Sequence, residues 1–291
     1  MNLLVPLTLT LLCAADPPGD SLEARLAALA ARHKGKVAIA VKHLGNGISC
    51  YQNADEPMPT ASLIKFPVMV ETYYQAQEGQ VRMSDMITLS KDDKVPGSGI
   101  LTQHFSPGAS FCLRDAVRLM IVYSDNTATN LVLDHIGIPS TAKRMEALGL
   151  PNTKIHSKSF RRDTSAFPER SKKFGLGSTT AREMVALLEK IQAGSVATPA
   201  GCQIMLNHLK KCEDKERFTR LLPAGTVVAH KTGSVNDART DAGIIYLDGG
   251  PVALCVLTAE NDDRSWRPDN AGVLLCACVA KEVYDYFTAK K

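Results

Sequence analysis

Apolar strand patterns stand at both ends of this chain and helical periodicity fills the middle, an arrangement that few folds satisfy. Ser21 opens a helix with Leu22, Leu26 and Leu29 on one face, closed by Gly35. Val37-Ala38-Ile39-Ala40-Val41 and Ile48-Ser49-Cys50-Tyr51 then flank Gly45-Asn46-Gly47, the pattern of a β-hairpin. Towards the other end, Val227 to Lys231, Ala242 to Tyr246 and Val252 to Leu257 read as three strands, with a turn at Asp248-Gly249-Gly250-Pro251. A final helix is expected from about Pro268 to Phe287. Strands so far apart in sequence must find one another. The expected fold is therefore α/β (α+β): one antiparallel sheet built from both termini, flanked by helices, with an inserted all-helical domain. Residues 16–56 and 199–291 would form the sheet domain and residues 57–198 the helical one.

Within the helical middle, Phe111 to His135 carries Leu113, Val117, Leu119 and Met120, then Leu131, Val132 and Leu133. Tyr123-Ser124-Asp125-Asn126 interrupts that pattern with polar residues. Pro139 to Leu148 reads as a short helix. Ser178 is expected to cap a helix through Met184, Leu187, Leu188 and Ile191, and Thr198-Pro199 starts another. Pro151 to Gly177 is long, basic and without period, and loops of that length are usually functional or disordered.

Composition narrows the function. With 45% hydrophobic and 22% charged residues, 291 residues can bury a sizeable core. The net charge of +4 comes with no run of like charges, so no nucleic-acid partner is expected. The cysteines show no CxxC pair and the histidines no HxxH or HxH, so neither a metal site nor any other cofactor is expected. An apolar run from Leu3 to Leu12 with Ala14-Ala15 reads as a signal peptide over residues 1–15, hence a secreted or periplasmic protein. Leu12 is a poor residue before a lipid-modified Cys13, so lipoprotein anchoring is not expected, and no later segment is apolar enough to span a membrane. Cutting the signal leaves an odd number of cysteines. Whether Cys202 and Cys212 pair is left open.

Three short motifs carry the chemistry. Ser62-Leu63-Ile64-Lys65 opens a helical pattern and sets a hydroxyl and an amine three positions apart, on one helix face. A serine is a weak nucleophile until a base takes its proton, and a partly buried lysine can be that base. Ser140-Thr141-Ala142-Lys143 has the same spacing but reads as an N-capping serine with a solvated lysine. Ser124-Asp125-Asn126 breaks an apolar helix, and Lys231-Thr232-Gly233 ends an apolar strand. Singly, each is most often a turn.

Taken in this order, S-x-x-K, S-D-N and K-T-G resemble the serine penicillin-recognising hydrolases, and specifically the class A β-lactamases. Thr127-Ala128-Thr129-Asn130-Leu131 and Ser178-Thr179-Thr180-Ala181 extend the resemblance, which runs from about Ser21 to Phe287. It implies a β-lactamase/transpeptidase-like fold and a monomeric enzyme acting on a small β-lactam or peptide-like amide. Ser62 would form the acyl-enzyme, Lys65 take or relay its proton and Ser124 pass a proton to the leaving nitrogen. Asn126 would meet the substrate amide, and Lys231 and Thr232, with Gly233 beside them, its carboxylate. The backbone N–H groups of Ser62 and Ser234 would form the oxyanion hole. Arg239 is a candidate second carboxylate anchor. The family also needs a loop carboxylate to activate the deacylating water, and no Glu-Pro-Glu-Leu-Asn-like string is present. Asp163 and Glu169 are the candidates, each with a structural alternative as a partner of Arg161, Arg162 or Arg170. Two rival readings follow: a D-Ala-D-Ala peptidase or esterase that β-lactams acylate but leave slowly, or a non-catalytic ligand-sensing domain.

Overall fold

The computed structural model describes residues 21–289; the expected signal peptide, Cys13 included, lies outside them. Helix α1 (Leu22–Arg32) is capped by Ser21, whose hydroxyl accepts from Ala24 N. Strands β1 (Lys36–His43) and β2 (Ser49–Gln52) form the expected hairpin. After β3 (Met58–Pro59), a 3₁₀ turn (Ala61–Ile64) runs directly into α2 (Lys65–Gln77). Then come β4 (Met86–Thr88), α3 (Leu101–His104), β5 (Ser110–Cys112), α4 (Leu113–Val122), α5 (Asn126–Ile136) and α6 (Ile138–Ala147).

The long aperiodic stretch is ordered. It holds β6 (Lys154–Ile155), a 3₁₀ turn (Arg162–Thr164), the short α7 (Pro168–Phe174) and β7 (Gly177–Thr179). Helices α8 (Ala181–Gln192) and α9 (Pro199–Leu209) precede strands β8 (Val228–Val235), β9 (Ala238–Leu247) and β10 (Gly250–Ala259). Helix α10 (Ala271–Thr288) is the last element, capped by Asn270 and starting three residues later than Pro268 suggested.

The five-stranded sheet has the order β2-β1-β10-β9-β8, with antiparallel neighbours throughout. Lys36 pairs with Ala259, so the first strand of the chain lies against its last. Period two then sorts the side chains between two layers. Ile39, Val41, Leu254 and Val256 face α1 and α10, packing with Leu26, Val279 and Val283. Ala38, Ala40, Ala242, Ala253 and Cys255 face the other way, and these small residues admit Leu63, Ile64 and Phe66 together with α8 and α9. Both faces are covered, which is why the strands read as nearly continuous apolar runs. Removing a fully buried member such as Leu26 would cost about 2–5 kcal/mol.

Two local expectations fail for a physical reason. Ser178 lies inside β7, buried with its hydroxyl donating to Asn152 O, and Thr180 is the residue that caps α8 through Glu183 N. Ser140 is not an N-cap either. It sits in the first turn of α6, where its hydroxyl donates back to Ile136 O and Gly137 O.

Candidate active site

The nucleophile candidate stands at a strained junction. Ala61 takes φ +47°, a region sparsely populated by residues with a Cβ, and sets the 3₁₀ turn that carries Ser62. Lys65, first residue of α2, is completely buried. Its Nζ donates to Ser124 O and Asn126 Oδ1, both at 2.7 Å, and lies 3.3 Å from Ser124 Oγ. Burial, and after it the charge of Lys231, holds the Lys65 amine well below its ordinary value, with Asp125 pulling weakly the other way. A neutral amine that donates both N–H bonds to oxygen keeps a lone pair free to accept a proton.

The Ser124-Asp125-Asn126 break is built by Ser124, at φ +52°, which ends α4 and reverses the chain into α5. Asp125 caps α5 through Ala128 N, and its other oxygen accepts from Ile100 N and Leu101 N. One carboxylate thus fixes both the helix start and the neighbouring loop. A side chain at Gly99 would collide with Asp125, and one at Gly97 with Asn126, so that loop can press against the motif.

Strand β8 is an edge of the sheet and lies against the Ser62 turn. A Cβ at Gly233 would fall 2.4 Å from Thr60 O and 2.8 Å from Leu63 N, so only glycine permits that approach. Thr240 Oγ1 donates to Thr60 O from the next strand and ties the turn down. Lys231 is fully buried, and its Nζ donates to Ser124 Oγ at 3.0 Å and to Thr232 O at 2.7 Å. Ser124 Oγ therefore sits between two lysine amines.

The cationic wall differs from expectation. Arg239 does not line the cavity: its guanidinium donates to the carbonyls of Val235, Ala238 and Ser265 and stacks 4.9 Å from the Trp266 ring. Arg217 lines it instead, donating to Ser234 Oγ at 2.5 Å while pairing with Asp214. It lies in an aperiodic stretch, so spacing alone gave it no signal. Behind Lys231, the buried His230 places Nδ1 3.0 Å from both oxygens of Asp241, and its ring stacks on Phe218.

The long loop forms the facing wall. Asn130 clamps Ser159 on both sides, its Nδ2 donating to Ser159 O and its Oδ1 accepting from Ser159 N at 2.7 Å. Glu183 anchors the loop base, accepting from Asn152 N, Asn152 Nδ2 and Thr153 Oγ1. Ser159 and Phe160, the latter at φ +58°, line the cavity. Asp163 and Glu169 do not; both are exposed. Nor do the loop arginines pair with them: Arg161 donates to Asp92 O, and Arg170 to Ser178 Oγ and Asn152 O.

The walls enclose a cavity of about 610 Å³, a volume suited to a small ligand. Ser62, Ser124, Asn126, Lys231, Thr232, Gly233 and Ser234 all line it, with Lys65 beneath. Three of the strained non-glycine residues, Ala61, Ser124 and Phe160, stand in its walls. Among the described residues no group of His, Cys, Asp and Glu is arranged to hold a metal ion. Such a site can acylate a hydroxyl and hold an anion.

The chain is similar to β-lactamases in both sequence and fold. A β-lactamase of Amycolatopsis lactamdurans is 25% identical over 279 residues, covering 88% of this chain and 83% of its own. One from Bacillus amyloliquefaciens is 28% identical over 204 residues, 68% of this chain and 64% of its own. The crystal structure of the Sphaerobacter thermophilus β-lactamase superposes with a TM-score of 0.79 at 28% identity, over 91% of this chain and 95% of that one. A mutant of PBP-A, solved as its acyl-enzyme complex with penicillin G, superposes at 0.80 with 25% identity, over 93% and 97%. The model of the β-lactamase enzyme family matches residues 21–287. The chain belongs to that family, as a serine β-lactamase-like hydrolase.

Proposed function

We propose that the cavity takes a β-lactam whose amide Ser62 opens through an acyl-enzyme, by a route of the class A type. The observation that carries this is the shared hydroxyl: Ser124 Oγ lies between the amines of Lys65 and Lys231, beside the nucleophile's turn. Ser62 Oγ attacks the carbonyl carbon while Lys65, whose burial disfavours its charged form, takes its proton. The backbone N–H groups of Ser62 and Ser234 meet the oxyanion, which the close approach at Gly233 makes feasible. Ser124 passes a proton to the departing nitrogen. Lys231, Thr232 and Arg217 hold the carboxylate, and Asn126 offers its amide to the substrate.

One observation favours slow release of the acyl group. The loop carries no carboxylate at the cavity; Ser159 stands where the Asn130 clamp fixes the backbone. Deacylation then depends on Lys65 or on unassisted water, as in a D-Ala-D-Ala peptidase or esterase of the same fold. A structural neighbour, a mutant of PBP-A, has been captured as a penicillin G acyl-enzyme. We further propose that the protein is an exported monomer without a nucleic-acid partner, on the strength of the apolar Leu3 to Leu12 run and the absence of charge runs. No described helix is long and apolar enough to cross a membrane.

Intact-mass spectrometry of the protein with penicillin G, followed over time, tests the proposal. An adduct of the drug's mass at Ser62 is expected, decaying slowly as hydrolysed drug accumulates. No adduct at all would overturn the acylation route, and an adduct at another residue would overturn the role of Ser62.

A further inference from the structure

Behind the carboxylate end of the cavity lies a second nucleophile that the acylation chemistry does not use. Cys212 follows α9, is 3% exposed and lines the cavity. His230 is close enough to its thiol for each group to shift the other's titration, without a hydrogen bond between them. That ring is 1% exposed, and its Nε2 has no conventional hydrogen-bond partner, while its Nδ1 is held by both oxygens of Asp241. With Nδ1 committed to a carboxylate, the ring is oriented and can hold a proton towards the sulfur. The order thiol, imidazole, carboxylate is that of an activated cysteine, yet it stands one residue from Lys231 rather than beside Ser62.

We propose that Cys212, activated by His230 and Asp241, is a covalent-modification site reached through the substrate cavity, open to small disulfides, and that the adduct closes the carboxylate end beside Lys231. The effect on turnover rests on the carboxylate-anchor role proposed above for Lys231 and Arg217; the modification itself does not.

The charges around the sulfur agree. Burial pushes the Cys212 thiol up, but the charge of His230, contact with that ring and the charge of Lys231 outweigh it, with Asp241 opposing, and leave the thiol below its ordinary value. Burial alone would lower His230, but Asp241 and then Cys212 raise it to about 10, so the ring stays protonated. Asp214 and Arg217 face Lys231 from the same segment. In the reaction the Cys212 thiolate attacks one sulfur of the disulfide. A new S–S bond forms, the old one breaks, and the departing thiolate takes its proton from solvent. His230 keeps its own proton because Asp241 still faces it.

Cys112 supplies an internal reference: it is more exposed, and its thiol donates to Asp115 rather than to a base. The test treats the full protein with 4,4′-dithiodipyridine, follows thiopyridone release by stopped flow and assigns the adducts by peptide mass mapping. Cys212 is expected to react about ten-fold faster than Cys112, and its rate to fall less steeply between about pH 8 and pH 6. Ser62→Ala should keep the fast phase. Cys212→Ser should remove it, and His230→Asn should slow it about ten-fold. The adduct should suppress acylation by penicillin G, and dithiothreitol should restore it. A Cys212 rate no greater than that of Cys112, or one unchanged in His230→Asn, overturns the proposal; should that variant not fold, the wild-type rate ratio and pH profile decide alone. Fast labelling with acylation undiminished overturns the closure of the cavity and, with it, the carboxylate-anchor role.

Discussion

The two walls of the cavity are built from opposite materials. The wall formed by α2, the Ser124 break and β8 buries two lysines completely and commits their amines to hydrogen bonds with neighbouring polar groups. The wall formed by the long loop presents Ser159 and Phe160, and its carboxylates point into solvent. Buried cations cost several kcal/mol each unless paired or neutralised, so the first wall persists only because its groups are satisfied or titrate. The loop wall carries no such cost. Buried cations stand where an amide is opened; the loop wall adds the less buried Lys158 and Arg162 but no carboxylate where an ester would be hydrolysed.

The largest effect should come from the charged wall. Lys65→Ala removes the proposed base and should slow acylation of Ser62 by about 10³-fold or more, read as the rate of adduct formation by mass spectrometry. In the wild type the same amine sets the acid limb of the acylation profile. Its value is depressed from 10.5, so the neutral base survives at pH values where an ordinary lysine is charged, and the rate falls only when acid protonates it. An acylation rate unaffected by Lys65→Ala would transfer the base's role to another group.

The loop wall yields the next test. Ser159→Glu places a carboxylate at the cavity from a backbone position that Asn130 already fixes on both sides. Deacylation should accelerate by about 10²-fold, near the lower end of general-base contributions, because nothing yet orients the water. Asp163→Asn and Glu169→Gln should leave the adduct's lifetime unchanged. A lifetime prolonged by either one would mean that the loop closes on substrate, and the contrast between the walls would dissolve.

What the sequence made legible follows the same division. Ser62, Lys65, Ser124 and Lys231 were legible as three short motifs standing in a family's order; period 3.6 adds only that Ser62 and Lys65 share a face, since Ser124 stands in a break at φ +52°. The sheet could be read too, because strands buried on both faces leave apolar runs that few alternatives produce. The loop could not. Ser159 reaches the cavity through the Asn130 clamp and Phe160 through a positive φ, neither of which leaves a periodic trace. Sequence could not tell whether Asp163 reaches the cavity, because the loop's path depends on tertiary contacts, Glu183 holding its base and Arg161 reaching back to Asp92. Thr127, Thr129 and Asn130 appeared only as a family continuation, though all three are buried and form the polar spine on which both cavity loops hang.

The smallest effect separates two arginines that the sequence could not rank. Arg239 alternates into the interior of β9, where three carbonyls and the Trp266 face absorb its guanidinium. Arg217 comes from irregular backbone and delivers its guanidinium to Ser234 at the cavity. Losing a charge-assisted contact costs about 1.5–3 kcal/mol. Arg217→Ala should therefore raise the KM of a penicillin about ten-fold, and much less for the corresponding methyl ester, which has no carboxylate to lose. Arg239→Ala should act on the fold instead, taking the guanidinium from three carbonyls, of which Ser265 O keeps Asn270 Nδ2, and lowering Tm by about 3 °C while KM stays put. Interchanged results would place the substrate's anion beside Arg239 at the start of β9 and leave Lys231 to its contacts with Ser124 and Thr232.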